Sequence, residues 1–277
     1  MRLITERLGK AFGQPVIVEN KPGAAGTLAA DFVAKSPADG HTLLYGSISD
    51  QAVAPVVYAK LPYDPETALI PITLANMGYP LLLVSATSNI HSLKDLIAQA
   101  RAKPGTLTFA TGTNGSYFHL LQALFNETAA VSMVQVAYKN TAQGLMDVAS
   151  GQVLATWDFL VTSEGFIKSG KVRALMVLSD RRLPMLADVP TSTELGMEKL
   201  NHLAWAGVLA PGGTPAAVVK RLNEEFRKAF ESPEFRTRVE ASGGIVKTTT
   251  PEEFAAFIRQ ERESMARIVR ANGITLN

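Results

Sequence analysis

The sequence predicts an α/β protein of two lobes, each a mainly parallel sheet flanked by helices. Three observations carry that expectation. Short apolar runs alternate with amphipathic helical patterns along the middle of the chain, which is the signature of parallel strands joined by right-handed crossovers. The chain has 277 residues, 47% of them hydrophobic, enough for a sizeable core and about the length at which one domain begins to divide. No apolar run is long enough to span a bilayer, and no secretory h-region opens the chain.

In chain order, Ile4, Leu8 and Phe12 predict one apolar helix face that ends at Gly13 and Pro15, and Val16-Ile17-Val18 then predicts a buried strand. Lys21-Pro22-Gly23-Ala24-Ala25-Gly26 turns into a helix carrying Ala29, Phe32 and Val33, and Asp39-Gly40 turns into the strand Thr42 to Tyr45. That strand opens into a small polar loop, Gly46-Ser47-Ile48-Ser49-Asp50-Gln51. Pro55, Pro62, Pro65 and Pro71 punctuate an irregular stretch before the strand Leu81 to Val84. Ser92 and Asp95 mark the start of a helix that Pro104-Gly105 stops.

The middle of the chain repeats the strand-loop-helix unit. Thr108 to Thr111 predicts a strand, and Leu120, Leu121, Leu124 and Phe125 have helical spacing. Met133 to Val136 is the next strand, and Thr141 is the expected cap of the helix bearing Leu145, Met146 and Val148. Val153 to Trp157, a helix over 160–168 and a strand from Val172 to Leu178 follow. A proline-rich connection leads to the strand Ala204 to Ala210, after which Thr214-Pro215 starts a long helix with proline at its first position. Residues 234–239 predict a further helix and Ile245-Val246 a short strand. Thr250-Pro251-Glu252-Glu253 is a capping box that opens the terminal helix.

The loop Thr111-Gly112-Thr113-Asn114-Gly115-Ser116 is the candidate for function. Two glycines let the backbone turn tightly, and short polar side chains stand where the unpaired amides of a helix start also point, which suits an anion. Gly112-x-x-Gly115 matches neither the phosphate loop nor the dinucleotide fingerprint, and the absence of lysine and metal-binding carboxylates favours a carboxylate over a nucleotide. The alternative, a tight turn with Ser116 as a helix cap only, stays open at this point.

The charge of +2 is spread along the chain, with mild basic clusters only at 168–173 and Arg181-Arg182, so the electrostatic footprint of a nucleic-acid binder is missing. Zero cysteines exclude thiol catalysis, disulfides and thiolate metal sites. A hydrolase would need Ser116 or Ser47 with a base among His41, His91, His119 and His202 and an acid such as Asp158. There is no nucleophile-elbow motif, and the histidines have no triad or metal spacing, so the expectation is a non-enzyme without cofactor or metal. Tyr45, Tyr79 and Tyr138 are candidate walls of a binding site, each adjacent to apolar strand residues.

Val18 to Gly26, Ala38-Asp39-Gly40-His41-Thr42-Leu43-Leu44, Leu61 to Pro65, Gly151-Gln152-Val153, Asp188-Val189-Pro190-Thr191 and Leu209 to Pro215 together resemble the Bug family of extracytoplasmic solute receptors, in family order over nearly the whole chain. The resemblance implies a periplasmic-binding-protein fold with a small mono- or dicarboxylate held in the interlobe cleft. It implies a periplasmic location and, as partners, the permease subunits of a tripartite tricarboxylate transporter, with no nucleic acid and no insertion into the membrane. The first lobe is then 1–103 with 221–277, and the second is 104–220. Carried over position by position, the ligand-binding residues are Thr111, Gly112, Thr113, Asn114, Gly115, Ser116 and His119, then Ser47 and Ser49, and further Tyr138, Asp158 and Trp205.

Members of that family begin with a signal peptide, a strand and a Gly-rich ligand loop, whereas this chain begins inside the helix that follows that loop. The resemblance therefore implies either a truncated start or a rearranged first lobe, with strand edges left unpaired and core side chains exposed. Two further readings stand beside the transport receptor: a ligand sensor that docks on a signalling partner, and a fragment that binds nothing.

Overall fold

The computed structural model describes residues 1–274, so the last three residues of the expected first lobe lie outside the described residues. Two compact units emerge, Met1–Met77 with Trp205–Asn277, and Gly78–Ala204. The boundaries differ from those expected: residues 78–103 group with the second unit and 205–220 with the first.

The first unit opens with α1 (Thr5–Phe12), which buries Leu8 and stops where Gly13 takes a left-handed φ of 70°. It continues through α2 (Thr27–Ala34), β1 (Leu44–Ser47), a π-helical turn at Ser49–Val53, α3 (Ala54–Val57) and β2 (Leu69–Gly78). The expected strand at Val16–Val18 is instead irregular, and Ile17 is 86% exposed. Among the described residues no strand pairs with it, and between residues 14–19 and β1 lies a cavity of about 640 Å³. Among its walls are Phe12, Leu43, Leu222 and Phe226.

Conversely, β2 occupies part of the stretch expected to be irregular. Pro71 masked it, because proline removes a ladder donor and argues against a strand. The ladder on one flank of β2 reaches only Asn76 and Met77, so Pro71 has no strand to satisfy there. Beyond that ladder, side chains take over: Thr249 Oγ1 accepts the Leu74 N–H, and Asn223 Nδ2 donates to the Ile72 carbonyl.

The second unit contains β3 (Pro80–Ser85), α4 (Leu93–Ala102), β4 (Thr108–Thr111), α5 (Tyr117–Ala129), β5 (Val134–Ala137), α6 (Thr141–Ala149), β6 (Ala155–Phe159), α7 (Leu160–Lys168) and β7 (Val172–Val177). Its sheet has the order β5-β4-β6-β3-β7. β4 is parallel to β5 and β6, while β3 is antiparallel to β6 and β7, so only β3 opposes the rest. The expectation of a mainly parallel sheet therefore holds here. Pairing with β6 and β7 is also what draws residues 80–85 into this unit. Trp157 anchors the core against Phe109 and Phe125, and its indole N–H donates to Gln122 Oε1 at 3.1 Å. Asn140, one residue before the expected Thr141, caps α6 by accepting the Ala142 N–H.

The chain completes the first unit with β8 (Ala204–Pro211), α8 (Ala216–Phe230), α9 (Pro233–Ala241), β9 (Ile245–Val246) and α10 (Pro251–Ala271), the last opened by the expected capping box. Pro215 is the N-cap of α8, one position earlier than expected. The sheet order is β1-β8-β2-β9, and the β1–β8 and β2–β9 pairings are antiparallel, which corrects the parallel expectation for this unit. β8 enters from the second unit and pairs in reverse with β1, which is why 205–220 belongs here. Ile72, Val208, Leu222, Phe226 and Phe230 form the core with Ile4 and Leu8.

Gly207 on β8 is set by close approach, because a Cβ there would sit 2.4 Å from the Phe254 ring and 2.7 Å from the Thr73 carbonyl oxygen. Gly207→Ala is expected to cost about 1–3 kcal/mol of stability, read by urea denaturation.

Candidate functional site

In the second unit, the parallel strands β4, β5 and β6 bring their C-terminal ends to one edge, the edge at which α/β sheets hold ligands. The Tyr138 N–H donates to the Thr111 carbonyl at 3.1 Å, and Thr156 Oγ1 donates to the Ala110 carbonyl at 3.0 Å. The loop from Thr111 to Ser116 leaves this edge and enters α5.

Some donors of the loop serve the loop itself. Ser116 caps α5, its Oγ accepting the His119 N–H, and its own N–H donates to the Thr113 carbonyl at 2.9 Å. The Gly115 N–H donates to His119 Nδ1 at 3.4 Å, with Gly115 in the left-handed region at φ 78°. Burial lowers the His119 pKa, which keeps the imidazole neutral at neutral pH and Nδ1 able to accept. By contrast, the Gly112 N–H and both the N–H and hydroxyl of Thr113 are paired with no group of the described residues. These donors lie just ahead of a 13-residue helix, where the macrodipole also favours negative charge. Asn114 is exposed at the tip.

The polar groups of Tyr138 and Asp158 are engaged elsewhere. The Tyr138 hydroxyl donates to Asp147 Oδ2 at 2.6 Å, and burial followed by the Asp147 charge pushes its pKa up to about 12. Asp158 is 4% exposed, and its Oδ1 accepts from the Phe159 N–H at 2.7 Å and from the Thr162 hydroxyl, tying β6 to the first turn of α7. Burial raises its pKa against those bonds.

Of the site residues expected in the first unit, Trp205 belongs to the core. It is 2% exposed, packs edge-on against Phe254 and Phe257, and donates its indole N–H to Glu261. Ser47 ends β1, and Ser49 starts the π-helical turn. Beside them is a residue that sequence reasoning passed over. Asp50 is buried, and its Oδ1 accepts both the N–H and the hydroxyl of Ser47, at 2.7 and 2.6 Å, while Oδ2 accepts Gln51 Nε2 at 2.7 Å. Burial raises its pKa, opposed by those bonds. The signal in the sequence was Ser-x-x-Asp at a strand end, a spacing that lets the carboxylate turn back on the loop.

Among the described residues, neither candidate nucleophile meets an imidazole. Ser116 Oγ meets the backbone of His119, and the Ser47 hydroxyl donates to Asp50.

The sequence pattern of the tripartite tricarboxylate transporter family receptor matches residues 1–274. BugT of Bordetella pertussis is 34% identical over 99% of this chain and 85% of its own length. Among solved structures, a protein of R. palustris with adipate aligns at a TM-score of 0.93 with 32% identity, covering 99% of this chain and 92% of that one. MatC of Rhodopseudomonas palustris with bound malate aligns at 0.90 with 31% identity, covering 97% and 92%.

A Cβ on Gly112 would lie 2.7 Å from Ser116 Oγ, whereas one on Gly165 in α7 meets nothing within 4 Å. Gly112→Ala is expected to dislodge the cap and cost about 1–2 kcal/mol, and Gly165→Ala to gain about 0.5–1 kcal/mol, both read by chemical denaturation.

Proposed function

The chain belongs to the tripartite tricarboxylate transporter receptor family, and from that premise we propose that it captures a small carboxylate for the permease subunits of such a transporter, in the periplasm. As a member it is a solute-binding receptor and not an enzyme. The observation that carries the carboxylate reading is the set of unpaired donors on Gly112 and Thr113, at the start of α5. The ligands named for two related structures, adipate and malate, support the same chemistry.

In this reading the Gly112 and Thr113 amides and the Thr113 hydroxyl bind the carboxylate oxygens. Each such charge-assisted bond is worth about 1.5–3 kcal/mol. Ser116 and His119 act on the ligand indirectly, by holding the loop so that its donors are already ordered when the anion arrives. Asn114 supplies a further polar side chain at the tip, and Ser47 and Ser49 are the ligand residues proposed for the first unit. The Tyr138 hydroxyl proton, Asp158 Oδ1 and the Trp205 indole N–H already serve the fold, and these three residues fall outside the proposed grip.

Isothermal titration of the full chain with monocarboxylates and with dicarboxylates of four to six carbons tests the reading. At least one acid is expected to bind with a Kd of about 10 μM or tighter, and Thr113→Val to weaken it about tenfold. Absence of binding across the panel would contradict the reading.

A further inference from the structure

The geometry points to Ser47, as oriented by Asp50, selecting carboxylates that carry a hydrogen-bond donor, a hydroxyl or ammonium group, on their carbon chain. This rests on the receptor reading above and on Ser47 being among the ligand residues.

Proton count decides what Ser47 can offer a ligand. A serine offers two donors, its N–H and its hydroxyl proton, and both of those of Ser47 go to Oδ1 of Asp50, at 2.7 and 2.6 Å. What remains on the half-buried side chain is the oxygen lone pairs, and these only accept. Ser47 therefore offers the opposite chemistry to Gly112 and Thr113, which offer donors.

The arrangement is locked by its surroundings. Asp50 is 4% exposed, and no salt bridge reaches it among the described residues. Its second oxygen accepts Gln51 Nε2 at 2.7 Å, so neither oxygen is without a donor. Two glycine backbones close over the carboxylate: a Cβ on Gly26 would lie 3.3 Å from Oδ1, and one on Gly46 would lie 2.9 Å from Oδ2. The turn that carries Asp50 is fastened from α10, where Arg262 Nε donates to the Gln51 carbonyl at 2.6 Å. Ser47 cannot rotate to present its hydroxyl proton to a ligand without stripping that bond from a buried acid.

A bare carboxylate oxygen brought to Ser47 would face lone pairs backed by an acid. A hydroxyl or an ammonium donor would be accepted by the Ser47 oxygen, whose own proton is held by Asp50. Asp50 is thus a positioning residue and Ser47 the group that touches ligand.

Calorimetry on the full chain with three matched series tests this: succinate, malate and aspartate; glutarate, 2-hydroxyglutarate and glutamate; adipate, 2-hydroxyadipate and 2-aminoadipate. In the tightest-binding series, the hydroxy or amino acid is expected to bind about tenfold more tightly than its unsubstituted parent. Ser47→Ala is expected to shrink that ratio to within about threefold, and Ser47→Thr, which keeps the hydroxyl, to preserve it. Thermal melts confirm that both variants are folded, and the wild-type ratio decides the matter if one is not. Parents that bind as tightly as their substituted partners, or a preference that survives Ser47→Ala, overturn the assignment while leaving the receptor reading in place. No binding in any series overturns both.

Discussion

A backbone N–H group without a partner is costly when shielded from water, and the loop after β4 keeps such groups in a fixed arrangement. The Gly112 and Thr113 amides remain open because neighbouring donors are satisfied: Ser116 N–H by the Thr113 carbonyl, Gly115 N–H by His119, and His119 N–H by Ser116. The closed donors hold the loop in place, and the open ones are those proposed to bind the carboxylate. Had every amide been paired, the loop would be a turn and a helix cap and nothing more. The rest of the second unit serves this arrangement, with parallel strands setting the edge and Trp157, Phe109 and Phe125 fixing the sheet beneath α5.

The first unit solves the opposite problem. There a buried carboxylate, Asp50, collects the donors of its own loop, and two glycines leave the room it needs. Asp50 fixes which way Ser47 points, so the polarity of Ser47 follows from a buried residue. Trp205 illustrates a related point. The family resemblance implied a ligand residue there, but this large, flat side chain on a strand facing α10 packs into the core, and Glu261 satisfies its N–H.

Much of this was legible in the sequence because the signals were local. Ser92, Ser116 and the Thr250–Glu253 box each mark a helix start and each accepts the expected backbone N–H. The loop at 111–116 was legible for the same reason, as glycines and short polar residues between a strand and a helix. What escaped was decided at a distance. Val16–Val18 has strand composition but, among the described residues, no strand to pair with, and β2 tolerates Pro71 because β9 pairs only its far end. Unit boundaries escaped too, since pairing with β6 and β7 assigns β3 to its unit and pairing with β1 assigns β8. Asp50 was visible as a residue of its loop, but its burial under Gly26 depends on a contact with a residue well removed in sequence.

The central claim concerns particular amide protons, and two-dimensional ¹H–¹⁵N NMR of the full chain titrated with malate and, separately, with adipate reads them directly. At saturation with whichever acid binds, the Gly112 and Thr113 amide protons are expected to move downfield, as they take up a charged acceptor, and the already bonded Gly115 amide to move less. Binding that leaves the Gly112 and Thr113 resonances in place, with the shifts elsewhere, would contradict the account.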